Sequence, residues 1–113
     1  VVKMASVVVE SATAGKTAFT TPTNKIGKIT FLEIDNQHTA DITITIRDTF
    51  TPTATAGNTS PTAVNKDRKV ITVKTGESYT EKVDGYIEII GTCTIIGSDD
   101  ASACKITIGY EFE

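Results

Sequence analysis

Two cysteines, one histidine and a pair of turn carboxylates are the side chains here whose types and spacing could do chemistry. Cys93 and Cys104 flank the polar segment GSDDASA and share the inward parity of the segments around it. If those segments form a hairpin centred between Ser98 and Asp99, the two cysteines stand opposite each other. That arrangement fits a cross-strand disulfide, and closing so short a loop contributes about 2–3 kcal/mol. The expectation is a Cys93–Cys104 bridge and a life outside a reducing cytosol, against two buried thiols as the alternative. Two cysteines with no partner histidine make a poor zinc site. His38 lies in the turn DNQHTAD, where an exposed and inert ring is expected. Asp99 and Asp100 supply two carboxylates where calcium takes about six to eight oxygens, so a plain acidic turn is expected. Asn58-Thr59-Ser60 is a glycosylation sequon followed at once by Pro61. No nucleophile elbow, HExxH, phosphate-binding loop or spaced carboxylate pair occurs. The reading is a protein that is not an enzyme and holds no cofactor or metal.

The elements that must position these groups are strands. In DITITIRD, Ile42, Ile44 and Ile46 point one way and Thr43, Thr45 and Arg47 the other, because strand side chains repeat with period two. Two threonines on that strand are too few to argue for binding of ice or sugar. KITFLEI, residues 28–34, puts Ile29 and Phe31 on one face and Leu32 and Ile34 on the other. A strand apolar on both faces is covered on both sides or offers one face to another chain. The two segments read as consecutive strands of one antiparallel pair. Residues 68–74 and 79–83, then YIEIIGTCTII with a bend at Gly91, and finally CKITIGYEFE supply more strands, with weaker ones in MASVVVE and TAFTT. No stretch carries apolar residues at helical spacing. The expected fold is all-β: one antiparallel β-sandwich domain over residues 1–113, jelly-roll or immunoglobulin-like, with seven or eight strands and no significant helix.

Composition agrees. With 39% apolar and 6% aromatic residues and no Trp among 113, the core must be built from Ile and Val. The net charge of −3 comes from interspersed acids and bases, so nucleic acid is not an expected partner. No apolar run approaches the roughly 20 residues that span a bilayer, and VVKMASVVVE does not read as an intact signal peptide. The seven aromatics leave few stacking platforms, with Phe31, Tyr110 and Phe112 on inward parity. A small carbohydrate-binding module is therefore the third-ranked reading.

Excess apolar surface points to assembly. Val7 and Val9 share one face of the first strand and Val8 the other, so residues 1–12 read as an edge strand that is exchanged with, or added to, a neighbour. Leu32 and Ile34 are expected to meet another subunit. Residues 49–66 read as a long polar contact loop, with Thr51, Thr53, Thr55 and Thr59 as contacts. KITFLEIDNQHTADITITIRD, KVITVKTGES and the closing KITIGYEFE resemble the small β-sandwich virion accessory proteins that decorate or cement capsids of tailed viruses of bacteria and archaea. The resemblance implies a virion-surface protein that binds between capsomers or at symmetry axes, with self and the major capsid protein as partners and no chemistry of its own. A homo-oligomer, in particular a trimer, is expected. The rival is a subunit of an extracellular filament or surface layer joined by donated N-terminal strands.

Overall fold

The structure, a computed structural model, describes residues 5–53, 61–83 and 87–113. Among them there are nine strands and no helix: β1 (Ala5–Ser11), β2 (Lys16–Thr20), β3 (Gly27–Asn36), β4 (Ile42–Phe50), β5 (Val64–Val73), β6 (Ser78–Glu81), β7 (Ile87–Ile89), β8 (Thr92–Gly97) and β9 (Ala101–Phe112). They form two antiparallel sheets. One runs β1-β9-β3-β6, with β7 also on β3, and the other runs β2-β8-β4-β5. β6 and β7 lie in line along one edge of β3, on Leu32–Asp35 and Gly27–Ile29 respectively. Counted as a single interrupted strand, they make a set of eight in which the first pairs with the last, the second with the seventh, and so inward to β4 with β5. This is a long antiparallel ribbon rolled on itself, the jelly-roll order. An immunoglobulin order is excluded because its first two strands share a sheet, whereas β1 and β2 do not.

The core is the aliphatic one that composition demands. Ile29, Leu32, Ile34, Ile42, Ile44, Ile46, Ile95, Ile106 and Ile108 are fully buried between the sheets. Two expectations about them are corrected. Leu32 and Ile34 face this core, not another subunit, and share the inward face with Ile29. The cause is a bulge: Ile29 pairs with Tyr110 and Phe31 with Gly109, so β3 spends one extra residue and every later side chain changes face. β3 and β4 do not pair with each other, because the chain leaves one sheet for the other between them.

That departure is fastened by Asn36, which is fully buried. Its Nδ2 donates to the carbonyls of Val73 (2.8 Å) and Ala40 (3.1 Å), and its Oδ1 accepts from the His38 N–H at 3.0 Å. A later change of sheet, from β7 to β8, passes through Gly91. A Cβ there would stand 2.1 Å from the Thr49 carbonyl oxygen, so only glycine lets the backbone cross β4 this closely. The contact loop is also shorter than residues 49–66. Thr49 and Phe50 end β4, and Val64, Asn65 and Lys66 begin β5, paired Phe50 to Val64 and Thr49 to Asn65.

Candidate functional site

Cys93 and Cys104 are free thiols, both fully buried. The expected bridge fails because GSDDASA is not a hairpin. β8 pairs with β2 and β4, β9 with β1 and β3, and the turn carries the chain from one sheet to the other. Burial, and next the charge of Asp48, push the Cys93 thiol up to about 12, and burial raises Cys104 as well. Neither is a nucleophile at neutral pH.

Asp48 is the polar group that sequence reasoning missed. It shares the parity of Ile42, Ile44 and Ile46, so it must point into the core, and it is fully buried. Its Oδ1 accepts from the Gly91 N–H at 2.9 Å and its Oδ2 from the Ile90 N–H at 2.9 Å. Arg68 adds Nη2 at 2.7 Å and Nε at 3.2 Å on Oδ2. The guanidinium lies 5.7 Å from the centroid of the Phe50 ring. One carboxylate thus ties the edge strand β5 to the corner where β7 becomes β8. Close by, a cleft of about 370 Å³ is lined by Lys66, Asp67, Arg68, Ile87 and Glu88. Two of its four charged residues are engaged within the protein, Arg68 with Asp48 and Asp67 with Arg47, each at 2.7 Å. Lys69 and Glu81 join β5 to β6 across the two sheets at 2.7 Å. The Lys69 ammonium, then the Tyr79 hydroxyl, hold the Glu81 carboxyl below its ordinary range.

The two ends of the roll differ in kind. At the end holding Asn36, carboxylates are met by donors of the chain itself. Asp99 accepts from the Asp100 N–H and meets His38 Nε2 at 3.1 Å. Asp100 accepts from the N–H and hydroxyl of Thr13, Asp41 from the Thr75 N–H, and Asp35 from Gln37 and Ser78. The Thr75 hydroxyl donates to the His38 carbonyl. His38 and Asp99 thereby tie two sheet-changing turns together, a role not read from the sequence. Among the described residues no group of three or more His, Cys, Asp or Glu is placed to hold a metal.

The opposite end, beside Asp48, is apolar. Of the six large hydrophobic residues exposed among the described ones, Ile26, Val64, Ile90 and Phe112 lie here, and Ile90 is 51% exposed. The register brings them together. Gly27, next to Ile26, pairs with both Phe112 and Ile89, and Ile26 exchanges backbone hydrogen bonds with Glu113. Phe112 meets Phe19 edge-on at 5.8 Å, and Phe19 stacks on Tyr110 at 4.3 Å, an aromatic run from core to surface. The connection after β4 leaves from this end, with Thr51 and Thr53 exposed. Thr55, Thr59 and the sequon residue Asn58 lie outside the described residues.

The other two exposed hydrophobics are on edge strands, Val8 of β1 and Val70 of β5. β1 pairs with β9 of its own chain. Val9 is buried and Val7 packs against the core, so of the three valines only Val8, 60% exposed, faces outward. Threonines missed as a group line the outer face of the β2-β8-β4-β5 sheet. Thr43 stands opposite Thr72 and Thr49 opposite Thr92, with Thr45 and Thr94 on the same face, and Thr43 meets Thr72 hydroxyl to hydroxyl at 2.9 Å. In comparisons with family models, curated proteins and solved structures, nothing matched this chain.

Proposed function

We propose that this protein is a non-enzymatic structural subunit that assembles on a larger protein shell, in the manner of a capsid decoration protein, with its apolar end as the docking face. The observation that carries the reading is the gathering of Ile26, Val64, Ile90 and Phe112 at one end, while the opposite end satisfies its polar groups internally. Exposed apolar side chains clustered in this way mark interaction surfaces. Absence of chemistry is supported by the state of two sets of groups: the thiols are buried, and Arg68 and Asp67 of the cleft are each paired, with Asp48 and Arg47. Partners are further copies of the chain and the subunits of the shell, and the place of action is the outer surface of a virion.

Light scattering of the purified chain across a concentration series tests this. A closed oligomer of fixed mass, built from trimers about the apolar end, is expected, and Ile90→Asp should reduce its mass while leaving the circular dichroism spectrum unchanged. Open-ended polymers would favour a filament subunit instead. A monomer at every concentration would remove self-assembly from the proposal and return a binding module to contention.

A further inference from the structure

A jelly roll has four sheet edges, and each is a row of unpaired backbone donors and acceptors that invites another strand. Three are blunted here. β5 carries Lys66, Asp67, Arg68 and Lys69 in succession and bulges at Arg68, where Ile46 pairs with Lys69 and Arg47 with Asp67. β2 has five residues, starts on Lys16 and is broken by a register shift between Thr17 and Phe19. The edge made by β6 and β7 is cut into pieces of four and three residues. β1 is the least guarded, with one charge, Glu10, and one register shift, at its end between Glu10 and Ser11. Its pairing with β9 is regular from Ala5 to Glu10, it contains no Pro, Lys or Arg, and its outward face presents Val8.

From this contrast we infer that β1 is an interface for a second copy of this chain, paired antiparallel with β1 of the partner about a two-fold axis through Val8. The register is self-complementary. Val8 meets its own symmetry mate on the outer face, and Val7 stands opposite the partner's Val9 on the inner one. The apolar strip formed with Ile106 and Ile108 therefore continues from one sandwich into the next. Ser6 stands opposite the partner's Glu10, a hydroxyl donor against a carboxylate acceptor, twice by symmetry. Like charges oppose one another nowhere from Ala5 to Ser11, and Glu10 keeps its bond to Lys105 at 2.8 Å. No alternative edge does as well. Pairing β5 with itself about Asp67 sets Asp67 against its own copy and Lys66 against Arg68. An isologous contact of this kind closes at two chains, and one sheet then runs through both.

The inference is separable from the docking role of the apolar end, and the test keeps the two apart. In full-length protein carrying Ile90→Asp, sedimentation equilibrium should find a dimer. Adding Val8→Lys, which places a lysine against its symmetry mate, should raise the dimer dissociation constant roughly 100-fold with an unchanged circular dichroism spectrum. Val8→Cys should form an interchain disulfide under mild oxidation, and Val70→Cys on the blunted β5 edge should not. A monomeric Ile90→Asp protein would overturn the β1 pairing and leave the docking face standing. A dimer indifferent to Val8→Lys, equal crosslinking at both positions, or open-ended polymers would each overturn it too.

Discussion

At one end of the roll Asn36 fastens a change of sheet with an amide, and at the other Asp48 does so with a carboxylate. The amide needs only carbonyls and one N–H from its own neighbourhood. The carboxylate needs two backbone N–H groups and the guanidinium of Arg68 from an edge strand. The first end is therefore closed upon itself, and its surface is polar and partnered. The second turns the Asp48 cluster inward, and Ile26, Val64, Ile90 and Phe112 are exposed around it.

The largest effect should come from Asp48→Ala, which strands a part-buried guanidinium and two corner N–H groups. Urea unfolding should show a loss of about 3–5 kcal/mol. Asn36→Leu leaves two carbonyls and an N–H without their partner and should lose about 1–3 kcal/mol. If Asn36→Leu proved the more damaging, the contrast between the ends would be broken. The Cys93 thiol sharpens it at high pH. Its folded pKa of about 12 lies above its ordinary 9.0, so the unfolded chain releases the proton first as pH rises. Stability should then fall between these values by about 1.4 kcal/mol per pH unit, and Cys93→Ala should flatten that slope. At the polar surface, His38→Ala should cost only about 0.2–1 kcal/mol, since the bond to Asp99 is solvent-screened. Ile90→Asp should shift unfolding by no more than about 0.5 kcal/mol, its consequence appearing in assembled mass instead.

Strands were legible in the sequence where alternation was unbroken. Ile42, Ile44 and Ile46 fall where their parity puts them, and the same count, carried two residues further, would have placed Asp48 in the core. Counting failed at β3 because a bulge leaves no mark in residue types, and one extra residue moved Leu32 and Ile34 from the supposed outer face to the inner one. Partners were not legible. DNQHTAD and GSDDASA have the length and polarity of hairpin turns, but a turn that changes sheet uses the same Asp, Asn and Ser. That ambiguity alone produced both the expected Cys93–Cys104 bridge and the expected β3–β4 pair. The apolar end was invisible for a related reason: Ile26, Val64, Ile90 and Phe112 belong to different strands and meet only when the ribbon is rolled.

Rolling the ribbon so that the first strand pairs with the last also sets an order of events during synthesis. β9 is made after the other eight described strands, yet it lies between β1 and β3, and neither sheet neighbour is complete without it. At about 5–20 residues per second, a ribosome that has placed Val8 needs roughly 5–20 s to reach Ile108, its partner region. During that interval the valines of β1 have no native strand to join, while the β4–β5 hairpin can form from neighbouring residues alone. Nascent chains on one message are then most vulnerable to pairing with each other through β1, and a chain cut short within β9 cannot recover by folding what remains.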